Sequence, residues 1–289
     1  MDKLYSVSKI KEIINDNSFN FKKKFGQNFL VDKNILDKII NATEVDSDSV
    51  VLEIGPGIGT LAVELAKRGA IVYAIEIDST LIPILEKNFE LYPNIKLIHK
   101  DALKVDYKEI LAPYIGTKKI KVAANLPYYI TTPLIFKILE TDIPWESITL
   151  MMQLEVAQRI CAKPGGKDYG SLTVAVNYYG KPTLITKVPS QAFYPPPKVD
   201  SAVLNIKLNT EKIFVKDQQL FFKVIKTAFN QRRKTLLNNL LTLGELSKEE
   251  LNKLLEEINI EGTRRAETLT IEEFALLTNT IYNISKPHL

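Results

Sequence analysis

The sequence predicts an α/β domain built on a mostly parallel sheet with an antiparallel edge, followed by a small all-α domain. Three observations carry this. Short β-branched runs alternate with segments of helical spacing from residue 34 to about residue 160, the pattern of βαβ crossovers that cover a sheet on both faces. The stretches SLTVAVNYYGKPTLITKVP and VDSAVLNIKL then read as antiparallel strands near one edge, without a crossover helix between them. From about residue 209 the segments have helical periodicity.

Taken in order, NILDKIIN (34–41) spaces its apolar residues as a short amphipathic helix, VDSDS turns, and VVLEIG is a buried strand. GPGIG breaks that strand, and TLAVELAKRG is a helix that stops at glycine. AIVYAIEID (70–78) is a strand, STLIPILEKNFEL a helix, and NIKLIHKDAL and KIKVAANLP are strands. TTPLIFKILE is a helix, and SITLMMQLEVAQRI runs from strand into helix. The last third offers three helical segments, DQQLFFKVIKTAFNQRRKTLLNNLL, SKEELNKLLEEI and TIEEFALLTNTIYN. A chain of 289 residues accommodates one large and one small domain, with boundaries expected at 1–208 and 209–289.

Composition narrows the chemistry. Hydrophobic residues make up 45% and charged residues 25%, ordinary for a globular protein with a full core. No run reads as a signal peptide or a membrane span, and the single cysteine, Cys161, forms no internal disulfide, so the expectation is a cytoplasmic protein with no membrane attachment. The two histidines, His99 and His288, leave no basis for a metal site or a Ser-His-Asp triad. Net charge is +4, but residues 218–244 carry Lys223, Lys226, Arg232, Arg233 and Lys234 with no acid among them, and Lys22, Lys23 and Lys24 form a second basic run. Such patches can follow a phosphate backbone; a solvated helix face is the alternative that composition leaves open.

EIGPGIG (53–59) joins the first buried strand to a helix. Glycines admit close approach of a ligand to the backbone, and the helix N-terminus offers free N–H groups. Glu76 closes the next strand, where its carboxylate can accept from both ribose hydroxyls. The G-x-G-x-G spacing differs from the dinucleotide fingerprint, and Glu53 ahead of the loop suits a positively charged cofactor. S-adenosylmethionine, with sulfonium and ammonium groups, fits. Asp101 ends the third strand, placed to accept from the adenine amino group. Singly, either acid reads equally as a helix cap or surface charge; as an ordered set at successive strand ends they read as a site.

NLPYYI (125–130) closes the fourth strand. The Asn125 side-chain carbonyl can accept one hydrogen bond from an exocyclic amine while a neighbouring main-chain carbonyl accepts the other. Pro127 fixes the turn and has no N–H to compete, and Tyr128 offers a flat face for a base. FYPPPKVDS (193–201) is a second aromatic element, its prolines expected to hold Phe193 rigidly opposite Tyr128; a stiff surface turn is the other reading. Tyr129, Tyr178 and Tyr179 are read as packing residues without a role.

FGQNFLVD (25–32), EIGPGIGTLA (53–62), Glu76, Asp101, NLPYYI, FYPPPKVDS and AFNQRRKTLLNNL (228–240) together resemble the ribosomal RNA adenine N6,N6-dimethyltransferases, over nearly the whole chain. Within that family the resemblance is to the bacterial branch that dimethylates two adjacent adenines near the 3′ end of small-subunit rRNA. It implies a Rossmann-like class I methyltransferase domain, an N-terminal cap over the cofactor within residues 1–33, and a helical domain that docks on the immature small subunit. Carried over by position, the cofactor contacts are Asn28, Leu30, Gly55, Glu76, Asp101 and Asn125. The catalytic set is Asn125, Leu126, Pro127, Tyr128 and Phe193, and Lys223, Lys226, Arg232, Arg233 and Lys234 are the RNA-binding candidates. The expected partner is small-subunit rRNA in a pre-ribosomal subunit, with the protein a monomer. Competing expectations are a large-subunit rRNA dimethyltransferase associated with macrolide resistance, and a non-catalytic ribosome assembly factor. The loop KPGGKDYGSL (163–172) also resembles the family, with no role derived.

Overall fold

Uninterrupted apolar runs such as Val50–Val51–Leu52 and Val122–Ala123–Ala124 are fully buried, as strands covered on both faces must be. The computed structural model of the chain describes residues 4–16, 27–211 and 213–285. They group into two compact units: residues up to Ala157 together with Thr183–Leu208, and Gln158–Pro182 together with residues from Asn209 onward.

In the first unit, helix α1 (Val7–Asp16) precedes the two-residue strand β1 (Phe29–Leu30) and helix α2 (Lys33–Thr43). Asp32 starts α2 by accepting from the Asn34 and Ile35 amides at 2.8 and 3.2 Å, a standard N-cap. Then β2 (Ser49–Ile54), α3 (Thr60–Lys67), β3 (Ile71–Glu76), α4 (Ile82–Phe89), β4 (Ile95–His99), α5 (Tyr107–Leu111), β5 (Lys119–Asn125), α6 (Thr131–Glu140) and β6 (Trp145–Gln153) alternate, and α7 (Leu154–Ile160) follows. After α8 (Ser171–Tyr179), which belongs to the second unit, come β7 (Gly180–Val188), β8 (Phe193–Tyr194) and β9 (Ser201–Leu208). The seven-stranded sheet has the order β4-β3-β2-β5-β6-β9-β7. Strands β4 to β6 of that order pair in parallel, and β9 runs antiparallel to β6. The chain proceeds outward from β2 to β4 and returns to β5 on the other side of β2. That reversal opens a crevice at the carboxyl ends of β2 and β5.

Lys121 of β5 interrupts this apolar sheet, yet it is 1% exposed. Its Nζ donates to the Thr43 and Glu44 carbonyl oxygens at 3.0 and 2.7 Å and pairs with Glu146 at 3.0 Å. The ammonium thus satisfies the carbonyl end of α2, where positive charge is favoured.

The second unit adds helices α9 (Gln218–Ala228), α10 (Leu236–Leu240), α11 (Lys248–Glu257) and α12 (Ile271–Ser285). Three sequence expectations change here. The stretch SLTVAVNYY forms helix α8, and only GKPTLITKV is a strand. Tyr178 packs on Phe221 and Phe222 with ring centroids at 5.0 and 5.6 Å, and Tyr179 stacks on Phe222 at 5.8 Å, so aromatic burial overrides the β propensity of the segment. For the same reason residues 158–182 group with the helices rather than falling within a 1–208 domain. The long basic helix expected from residue 217 instead ends at Ala228. The buried Asn239 amide donates to the Ala228 and Gln231 carbonyl oxygens at 2.8 and 3.1 Å, folding residues 229–235 into a turn before α10.

Lys121→Met should lower the free energy of unfolding by about 2–4 kcal/mol, because it leaves the buried Thr43 carbonyl, the part-buried Glu44 carbonyl and one glutamate without their partner. Urea denaturation of the full chain measures it.

Candidate active site

The carboxyl ends of β2, β3, β4 and β5 bring the glycine loop, Glu76, Asp101 and Asn125 to one side of the sheet. The loop needs glycine twice over. Gly57 has φ +61° and a Cβ there would stand 3.1 Å from the Phe29 ring; Gly59 has φ +88° and its Cβ would stand 2.5 Å from Phe89 Cε1. Both positions combine a left-handed backbone with close packing.

The segment that follows residue 26 is attached to this edge at three points. Phe29 and Leu30 pair antiparallel with Tyr194 and Phe193, and the Val31 amide donates to the Ala192 carbonyl at 2.8 Å. Gln27 Nε2 donates to Asp78 Oδ2 at 2.7 Å. Asn125 Nδ2 donates to the Asn28 carbonyl at 3.2 Å. This last bond uses the amino end of the Asn125 amide and leaves its Oδ1 as the acceptor available to a ligand.

A cavity of about 270 Å³ lies between these parts. Asn28, Leu30, Gly55, Glu76, Asp101 and Asn125 line it, as do Leu126, Pro127, Tyr128 and Phe193. All ten cofactor and catalytic candidates therefore meet in one place. Phe193 is held there by its ladder to Leu30. The prolines expected to hold this ring follow directly, the first joined by a cis Tyr194–Pro195 bond. Residues 22–25, with their basic run and Phe25, lie outside the described residues, as does His288.

Two residues that sequence reasoning left unassigned stand close to these side chains. Ser201, the last residue of FYPPPKVDS, is fully buried at the start of β9, and its Oγ meets the Tyr128 hydroxyl at 2.7 Å. Its place beside the aromatic element was the available signal. Tyr129 lines the cavity and is 56% exposed; it is not a packing residue. Tyr178 and Tyr179 are buried in the helical unit and do not line this cavity.

The electrostatics favour a cation. Glu76 Oε1 accepts from the Ile77 and Asp78 amides at 2.9 and 2.7 Å, and the Gly57 amide also bonds this carboxyl. Burial nevertheless pushes it up to about 7. Glu53 is 2% exposed and its Oε2 has no hydrogen-bond partner; burial, and then the charge of Glu76, push it up to about 8. A buried orphan carboxylate oxygen beside a cavity is relieved by a positively charged ligand. The residues thus fit S-adenosylmethionine, and Glu76 and Asp101 both line the cavity. Among the described residues, no group of His, Cys, Asp and Glu side chains is arranged to hold a metal ion, and no helix is long and apolar enough to cross a membrane.

In the helical unit Arg232, Arg233 and Lys234 sit exposed on the turn between α9 and α10. The Arg232 guanidinium donates to the Lys167 carbonyl, and the Gly165 amide donates to the Glu267 carbonyl at 2.6 Å, so the loop 163–168 braces that turn. Lys223 and Lys226 lie on the exposed side of α9. Lys223 pairs with Glu245 at 2.8 Å, an acid just past the acid-free stretch.

Fold and site define a Rossmann-like methyltransferase that uses S-adenosylmethionine. A family model described as ribosomal RNA adenine dimethylase matches residues 18–281. The chain is 47% identical over 284 residues to Ribosomal RNA small subunit methyltransferase A of Alkaliphilus oremlandii, covering 97% of this chain and 99% of that relative. A crystal structure of a dimethyladenosine transferase from Plasmodium falciparum is similar with TM-score 0.75 at 30% identity, over 89% of this chain and 98% of that one. The 23S rRNA methyltransferase ErmE is similar with TM-score 0.67 at 25% identity, over 88% and 99%. The chain belongs to the ribosomal RNA adenine dimethylase family.

The raised Glu53 carboxyl makes a prediction about pH. The native chain holds that proton up to about 8, whereas an unfolded glutamate releases it near 4.5. Between those values the native state binds more protons, so stability falls as pH rises. Melting temperatures of the unliganded protein should decline from about pH 5 to about pH 8. Glu53→Gln should flatten much of that decline, and S-adenosylhomocysteine binding should weaken in the same variant.

Proposed function

We propose that the protein transfers methyl groups from S-adenosylmethionine to the N6 amines of two adjacent adenosines near the 3′ end of small-subunit rRNA, two methyls to each. The observation that carries this is the anchored Asn125 amide, whose Oδ1 remains as an acceptor beside a cavity suited to a cationic methyl donor. The near-full-length likeness to a small-subunit rRNA methyltransferase supports the choice of RNA.

An aryl amine is a weak nucleophile because its lone pair is delocalised into the ring. Asn125 Oδ1 and a neighbouring main-chain carbonyl, accepting from its two N–H groups, favour the pyramidal nitrogen that attack requires. The Pro127 carbonyl already accepts from the Ile130 amide and the Thr131 hydroxyl, each at 3.2 Å, so it is not that acceptor. Bound S-adenosylmethionine supplies an electrophilic methyl on sulfur. The amine proton departs after the N–C bond forms, and no histidine is needed; His99 is exposed at the end of β4. Tyr128, held through Ser201, and Phe193 provide the aromatic walls for an extruded base.

The basic turn at 232–234, braced by the loop 163–168, would contact rRNA phosphates, and the partner would be a pre-ribosomal small subunit in the cytoplasm, met by a monomer. A large-subunit rRNA target is the second reading, favoured by the likeness to a 23S rRNA methyltransferase. The identities, 47% against 25%, favour the first. Macrolide resistance on expression would select the second.

Asn125→Ala should reduce methyl transfer to immature small subunits by about a hundredfold or more while leaving subunit binding nearly unchanged. Equal loss of both would make the residue structural and the protein a candidate assembly factor. Arg232→Ala with Arg233→Ala should weaken subunit binding and reduce the steepness of its salt dependence by up to about two in the log–log slope. Filter binding across a salt series reads it; an unaltered slope refutes the RNA role of the turn.

A further inference from the structure

Three large apolar side chains surround the mouth of the cavity in the exposed state: Ile77 at 44%, Leu103 at 37% and Tyr129 at 56%. Ile77 follows Glu76, and Leu103 lies two residues after Asp101, whose Oδ1 accepts the Leu103 amide at 2.9 Å. Tyr129 comes from a different strand end, on the short helical turn Tyr128–Ile130. Exposed apolar side chains that cluster on the rim of a polar cavity mark a surface that a ligand covers. We infer that Tyr129 is a cofactor-positioning residue, its ring closing over the adenosine of the methyl donor opposite Ile77 and Leu103. The inference rests on the donor reading above.

The choice of adenosine over a flanking RNA nucleotide follows from charge. The Tyr129 hydroxyl is raised by burial and then by the charges of Asp101 and Glu76, so it sits within reach of the two carboxylates placed for adenine and ribose. The cavity lining carries Glu53, Glu76 and Asp101 against Lys100. A wall with that balance repels a phosphodiester and accepts a nucleoside whose formal charge is positive. A flat purine against an aromatic face also gains stacking that a smaller side chain forfeits. The neighbouring Tyr128 is committed elsewhere, through its hydroxyl to Ser201, which leaves Tyr129 as the tyrosine of the pair free to serve the donor side.

Isothermal titration with S-adenosylhomocysteine tests this on the full chain, with Tyr129→Ala, Tyr129→Phe and wild type. Tyr129→Ala should bind about tenfold more weakly and raise KM for the donor by a similar factor, with kcat at saturating donor largely kept. Tyr129→Phe should retain most of the affinity. The apparent Kd for small-subunit RNA should be unchanged in both. Wild-type affinity in Tyr129→Ala, or a loss confined to RNA binding, overturns the inference while the donor reading stands. A wild type that binds no S-adenosylhomocysteine overturns the donor reading and the inference together.

Discussion

The hydrogen bond from Asn125 Nδ2 to the Asn28 carbonyl joins positions 97 residues apart in the chain, and the geometry of the site turns on it. An amide that rotates freely presents donor and acceptor with equal ease. Once its amino end is committed, the oxygen becomes a fixed acceptor, as an exocyclic amine requires. The partner carbonyl is itself held in place, because Phe29 and Leu30 are paired with Tyr194 and Phe193. One short ladder therefore positions the Phe193 ring and the carbonyl that orients the amide. Few side-chain contacts accomplish this, and main-chain pairing supplies the rigidity.

Electrostatics act on the same site from the opposite side. Glu53 and Glu76 are both buried; burial raises both carboxyls, the charge of Glu76 raises Glu53 further, and that of Asp78 raises Glu76. A neutral ligand would leave that strain unrelieved, whereas a ligand bearing positive charge removes it. The loop glycines permit the approach, since a side chain at Gly57 or Gly59 would collide with Phe29 or Phe89. Shape and charge thus select the same kind of ligand by independent means.

The helical unit shows how packing redraws a sequence pattern. SLTVAVNYY carries β-branched and aromatic residues that suit a strand, yet it is helical because Tyr178 and Tyr179 bury against Phe221 and Phe222. In the same unit, the buried Asn239 converts what periodicity extends as one helix into two helices with an exposed basic turn between them. Lys223, on the helix face, is drawn into a pair with Glu245.

Residue order alone determined the alternation of strands and helices, the glycine loop, and the acids and asparagine that end successive strands. These are local properties: hydrophobic period, turn chemistry and the rule that crossover sheets place their ligands at carboxyl ends. Tertiary structure decided the rest. That Phe193 pairs with Leu30, that Ser201 steadies Tyr128, that Lys121 is buried against the end of α2, and that Tyr129 lines the cavity all depend on contacts between distant segments. No periodicity encodes such contacts, because a residue's partner across a fold is set by where the whole chain packs and not by its neighbours in line.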